Sequence, residues 1–180
     1  MVQELVDGGT FLLNCSWDME GLEKHLPGQV KAFIADHNIK FYTIDGIKIG
    51  KEIGLGGRIN TVLQSAFFKL AAIIPEEEAI DLMKAAAKAT YGRKGDKIVQ
   101  MNYDAIDAGA KQVVEVEVPE SWKDAADEGL ATPHIADGGR TDAIAFAKNI
   151  QAKVNAQEGN TLPVSAFNDY VDGSTPSGTS

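Results

Sequence analysis

Two short apolar runs set the rhythm of the first part of the chain. Thr10-Phe11-Leu12-Leu13-Asn14-Cys15 follows Gly8-Gly9, and Phe41-Tyr42-Thr43-Ile44-Asp45 ends at Gly46. Apolar runs bounded by turn residues predict strands buried on both faces, as in a parallel sheet. Between them, Trp17, Leu22 and Leu26 form a helical stripe that Ser16 or Asp18 can cap. Pro27 suits the first turn of a second helix, running to Asp36 with Val30, Phe33 and Ile34 and closed by His37-Asn38. Strand, helices, strand is the order of a βαβ unit. Met1–Asp7 reads as the last turns of a helix broken by Gly8-Gly9, which suggests a segment cut from a larger chain.

Ile47–Ile53 predicts a short helix leading into Gly54-Leu55-Gly56-Gly57. From Arg58 a longer helix places Ile59, Val62, Leu63, Ala66, Phe67, Leu70 and Ile73 on a broad stripe, with its phenylalanines expected in the core. Pro75 and the acidic Glu76, Glu77 and Glu78 mark another helix start, which runs to about Thr90. Asp96 can cap one more helix, closing near Gly109. Val113–Val118 alternates with period two, as a half-exposed strand does.

After Trp122 the character changes. Residues 123–140 are acidic, rich in alanine and glycine and without period, and read as a linker. Thr141-Asp142 caps a last helix, and the Ser/Thr/Gly-rich end from Asp172 is expected to be a disordered tail. The domain division is therefore 1–122, 123–140 and 141–180.

The 180 residues carry 26 acidic and 17 basic side chains, a formal charge of −9. That balance argues against nucleic acid or an anionic membrane as partner. The single cysteine, Cys15, leaves no internal disulfide framework or cysteine-ligated cluster, and a reducing cytoplasm is the expected location. No apolar run approaches the ~18–20 residues that a membrane-spanning helix needs. His25, His37 and His134 are scattered, and there is no HExxH, CxxC or GxSxG pattern.

One stretch carries possible chemistry. Gly54-Leu55-Gly56-Gly57-Arg58-Ile59-Asn60 joins a close-approach turn to a helix start, with Arg58 and Asn60 at its first turn. Such a start offers unpaired N–H groups to an anion, and arginine strengthens the pull. The spacing is neither GxGxxG nor a P-loop, so a plain glycine corner with Arg58 in solvent stands beside the phosphate reading. Asp45 and Lys48 also fall at a strand's C-terminal end, where open α/β sheets bind ligands, although Asp45 equally suits a helix cap. Cys15, at another strand end, is either a reactive thiol or a small buried residue.

Gly8–Asn14, Ile39–Asp45, Ile53–Asn60, Ala66–Leu70, Tyr91–Gly95 and Val116–Pro119 arrive in an order that closely resembles the pyruvate:ferredoxin (flavodoxin) oxidoreductases. These are single-chain, thiamine-dependent iron–sulfur enzymes of anaerobic metabolism. Leu162–Phe167 with Asp172-Gly173 and Pro176–Thr179 resembles the segment that follows their gamma-type domain. The resemblance implies a partial three-layer, Rossmann-like α/β fold, a parallel sheet with helices on both faces. It covers the second half of the gamma-type domain and the start of the next segment. It implies oxidative decarboxylation of pyruvate with coenzyme A, giving acetyl-CoA, carbon dioxide and reduced ferredoxin or flavodoxin. Thiamine diphosphate, Mg2+ and [4Fe-4S] clusters are implied for the intact enzyme, expected as a homodimer, and none for this segment alone. By resemblance Arg58 and Asn60, with Gly56 and Gly57, are the coenzyme A contacts; no catalytic or metal-binding residue is implied here. The family's glycine-rich nucleotide loop has no counterpart in these residues, so the isolated segment is not expected to be active. A standalone, non-catalytic scaffold or docking module of the same fold, and an independent nucleotide-binding α/β protein, are the competing readings.

Overall fold

The computed structural model describes residues 2–126 and 138–179. The chain divides into two compact units, Met1–Glu128 and Gly129–Ser180.

In the first unit, β1 (Thr10–Asn14) pairs in parallel with β2 (Lys40–Ile44), Thr10 opposite Lys40 and Asn14 opposite Ile44. They are linked by α1 (Met19–His25) and α2 (Gly28–Asp36). Asp18 rather than Ser16 caps α1, its Oδ1 accepting from the Gly21 N–H at 2.9 Å. Pro27 lies just outside α2, where its missing N–H costs nothing.

The alternation of a strand sends neighbouring side chains to opposite faces. Phe11, Leu13 and Phe41 therefore join one apolar cluster with Leu22 of α1, Ile34 of α2 and Trp122. Leu12 and Ile44 join a second cluster with residues of α3 (Gly46–Ile53), α4 (Asn60–Ala71) and α6 (Asp96–Lys111). Helices thus cover both faces of the sheet, as expected. α5 (Glu76–Tyr91) packs against α4 and α6.

The sheet departs from the all-parallel expectation. Its third strand, β3 (Val114–Glu115), runs antiparallel to β2, with Thr43 opposite Val114. Regular pairing there covers two residues, with the Val116 N–H donating to the Phe41 carbonyl at 2.8 Å beyond them, and Val116 and Val118 pack against the first cluster. β1 is only half-buried, being paired on one side only among the described residues.

A second correction concerns α4. Val62 and Ala66 are fully buried, but Phe67 is 53% and Ile73 69% exposed. The buried face is narrow because α4 meets α6 through small residues. An alanine Cβ at Gly109 would stand 2.3 Å from the Val62 carbonyl oxygen, and Ser65 Oγ donates to the Ile106 carbonyl at 2.6 Å. Phe67, two residues after Ser65 and so about 200° around the helix, lies on the side away from α6, where it stacks edge-on against Phe68.

Trp122, 1% exposed, closes the first cluster. Its Nε1 donates to Glu23, which also accepts from Lys31 Nζ at 3.0 Å. These two donors, Lys31 first, hold the Glu23 carboxyl below its ordinary range.

In the second unit, α7 (Thr141–Phe146), a π turn (Ala147–Gln151) and α8 (Ala152–Asn155) are continuous. Phe146 packs edge-on against Tyr170 of a 3-10 helix, Val164–Tyr170. The end expected as a disordered tail carries turns, and Gln151 Nε2 donates to the Thr179 carbonyl at 2.6 Å. Residues 127–137, most of the predicted linker and including His134, lie outside the described residues.

Candidate functional site

The glycine turn is built from α3. Gly54, at φ +90°, ends that helix in the left-handed conformation that glycine adopts without cost. The N–H groups of Gly54, Leu55 and Gly56 all converge on the Gly50 carbonyl, Leu55 at 2.8 Å and Gly56 at 3.1 Å. Gly50 must itself be glycine, since a Cβ there would meet the Gly56 carbonyl oxygen at 2.7 Å. Leu55 is buried against Ile44, Ile49 and Val62 and pins the turn to the core.

Beyond that anchor the chain is exposed. Gly56, Gly57, Arg58 and Asn60 all stand in solvent on one turn at the start of α4. Arg58 Nε donates to the Leu55 carbonyl at 3.3 Å, which uses one guanidinium donor; the residue is exposed, and its terminal nitrogens have no partner among the described residues. No side chain caps α4. The neighbouring helix start is the opposite case. At α3, Asp45 Oδ1 accepts from the Lys48 N–H at 2.8 Å and Asn14 Oδ1 from the Gly46 N–H at 2.9 Å. Side-chain oxygens already satisfy two of the N–H groups at that end, which leaves it less open to an anion than an uncapped start.

The strand ends form a separate feature. A cleft of about 550 Å³ opens where β1 and β2 finish, lined by Cys15, Ser16, Trp17, Asp45, Lys48 and Lys51 among others. Sequence reasoning reached Asp45 and Lys48 from the end of β2 but passed over Ser16, Trp17 and Lys51. The same rule, applied to the end of β1, points to the first two. None of Gly56, Gly57, Arg58 and Asn60 lines this cleft. The four stand together on one turn, while Asp45 and Lys48 line the cleft.

The family model described as pyruvate ferredoxin/flavodoxin oxidoreductase matches residues 2–112, more than half of the chain and all of this turn. The chain belongs to the pyruvate ferredoxin/flavodoxin oxidoreductase family. A second model, described only as a domain of unknown function, matches residues 137–180. Among relatives, the pyruvate-flavodoxin oxidoreductase of Enterobacter agglomerans is 46% identical over 98% of this chain and 14% of its own length. The pyruvate:ferredoxin oxidoreductase of Moorella thermoacetica is 43% identical over 99% of this chain and 14% of its own length. The pyruvate dehydrogenase [NADP(+)] of Cryptosporidium parvum is 37% identical over 99% of this chain and 10% of its own length. The chain thus spans a small part of the oxidoreductases it matches. Among the described residues, no helix is long and apolar enough to cross a membrane.

Proposed function

We propose that this chain is part of an enzyme that oxidatively decarboxylates pyruvate with coenzyme A to acetyl-CoA and carbon dioxide. Its contribution is to hold coenzyme A at the turn of Gly56, Gly57, Arg58 and Asn60. The observation that carries this reading is the contrast between the two helix starts, α3 capped by Asp45 and Asn14, α4 uncapped beside an exposed arginine. Coenzyme A presents a diphosphate and a ribose phosphate. The uncapped N–H groups and the Arg58 guanidinium supply charge-assisted donors to such groups, and the glycines let the backbone approach closely.

A cysteine-ligated iron–sulfur cluster does not fit this segment, whose donor set holds one cysteine where a cluster needs four. The cofactors and the partner of the electrons belong, on this proposal, to other parts of the intact enzyme. In support, the relatives' names differ in acceptor (flavodoxin, ferredoxin and NADP+) although each matches nearly all of this chain.

The test is Arg58→Ala in the intact enzyme. Losing charged donors to phosphate is expected to raise the coenzyme A KM by about tenfold to a hundredfold. Pyruvate decarboxylation without coenzyme A is expected to stay unchanged. An unaltered coenzyme A requirement would sink the assignment.

A further inference from the structure

We propose that the groove between α4 and α5 takes the pantetheine arm of coenzyme A, its sulfur directed toward the turn that joins those helices; this rests on the coenzyme A reading of the Gly56–Asn60 turn. The groove holds about 350 Å³ and is lined by Thr61, Gln64 and Phe68 of α4 and by Leu82, Ala86 and Thr90 of α5, among others. Spacings of three and four residues set each trio on one helix face. Only residues 72–75 join the two helices, which therefore run antiparallel. Thr61 and Thr90 stand at one end of the groove, Phe68 and Leu82 toward the other. Thr61 directly follows Asn60, so the first end opens at the proposed phosphate turn.

The arm is a chain of methylenes, a dimethyl-substituted carbon and a pair of amides. Leu82, 57% exposed, offers it apolar wall. Gln64 has no hydrogen-bond partner among the described residues and can meet an amide. About a dozen bonds separate the diphosphate from the sulfur, as many as in about four residues of backbone, so the arm spans at most ~14 Å. Along α4, at about 1.5 Å per residue, Phe68 stands about 12 Å from Asn60. The sulfur thus reaches the Phe68 end, where Phe68 and Ile74 also line a second hollow of about 440 Å³ beside the turn. Charge fixes the direction. Glu76 lines that hollow, with Glu77 and Glu78 next in the first turn of α5, and these carboxylates repel phosphates. The centre of the intact enzyme that supplies the acyl group is then expected to face residues 72–75.

The intact enzyme is assayed with Ala86→Leu, which narrows the groove from an exposed position, and with Ala89→Leu, exposed on α5 outside the groove. The coenzyme A KM is measured beside the Ki of 3′-phosphoadenosine 5′-diphosphate, which keeps every phosphate and lacks the arm. Ala86→Leu is expected to raise the coenzyme A KM about fivefold to tenfold and to leave that Ki unchanged. Ala89→Leu is expected to match the parent in both. An unaltered coenzyme A KM in Ala86→Leu overturns the groove, even where Arg58→Ala raises it and so upholds the turn. Equal weakening of coenzyme A and the inhibitor by Ala86→Leu also overturns it, since the turn rather than the groove is then disturbed. If Arg58→Ala changes neither constant, the turn reading falls, and the groove falls with it.

Discussion

Gly57→Ala separates a turn kept for its shape from one kept for what approaches it. Gly56 and Gly57 are adjacent and exposed, and an added Cβ at either meets no atom within 4 Å. Their backbones differ. Gly56 sits at φ +62°, in the left-handed region, whereas Gly57 has no positive φ. Alanine at 56 therefore incurs a left-handed cost of about 1–2 kcal/mol. Alanine at 57 mainly removes unfolded-state freedom, which stabilises by about 0.4–1 kcal/mol. For a chain of this length, thermal unfolding followed by circular dichroism is expected to show Gly56→Ala lower by about 2–8 °C and Gly57→Ala higher by about 1–4 °C. Coenzyme A titration of the intact enzyme then adds the functional arm. If the diphosphate lies against this backbone, the Gly57 methyl obstructs it and raises the coenzyme A KM in a variant that is no less stable. A destabilised Gly57→Ala would refute the conformational reasoning. A stable variant with an unchanged KM would refute close approach of the ligand at this position.

Two further substitutions probe the scaffold. Gly109→Ala forces a methyl to within 2.3 Å of the Val62 carbonyl oxygen, so α4 and α6 must separate, and denaturant unfolding is expected to show a loss of about 1–3 kcal/mol; a loss under about 0.5 kcal/mol would contradict the rigid contact. At Glu23 the carboxyl is held low first by Lys31 and then by Trp122, so its contribution is complete above the ordinary glutamate range and lost as pH falls through the depressed value. Stability measured against pH below about 4.5 is therefore expected to fall more steeply in the parent than in Glu23→Gln, and parallel curves would count against the coupling.

The elements that the sequence discloses are those whose cues are local. Asp45 and Asp18 cap helices because a short carboxylate reaches back to N–H groups only three residues ahead, and such geometry survives any tertiary context. The paired strands and the helices between them follow from apolar runs bounded by turn residues, although β1 is only half-buried. The failures are all non-local. The direction of β3 depends on which strand it meets, and alternating valines do not encode that. Phe67 looks like core by periodicity, but the face of α4 that is buried is set by its contact with α6 at Ser65 and Gly109, and Phe67 lies about 200° around the helix from Ser65. At the candidate site, the grouping of Gly56, Gly57, Arg58 and Asn60 was legible because those residues are contiguous. That Asp45 and Lys48 line a cleft to which those four do not contribute was not, since sequence places both sets after strand β2.

The tip from Gly56 to Asn60 makes few contacts of its own, yet it is not loose. Three N–H groups gather on the one carbonyl of Gly50, Leu55 is buried beneath, and Arg58 Nε ties the tip back to the Leu55 carbonyl. A site that binds phosphate through backbone donors gains most when those donors are fixed beforehand, because ordering them on binding would subtract from affinity. The glycines here are accordingly of different kinds. Gly50 and Gly54 are required by the anchor, through a close approach and a left-handed φ, and Gly56 by its own φ. Gly57 has no positive φ, and a Cβ there meets no atom within 4 Å among the described residues. On the coenzyme A proposal, a methyl at Gly57 would meet the ligand rather than the fold, and that is what the Gly57→Ala titration reads.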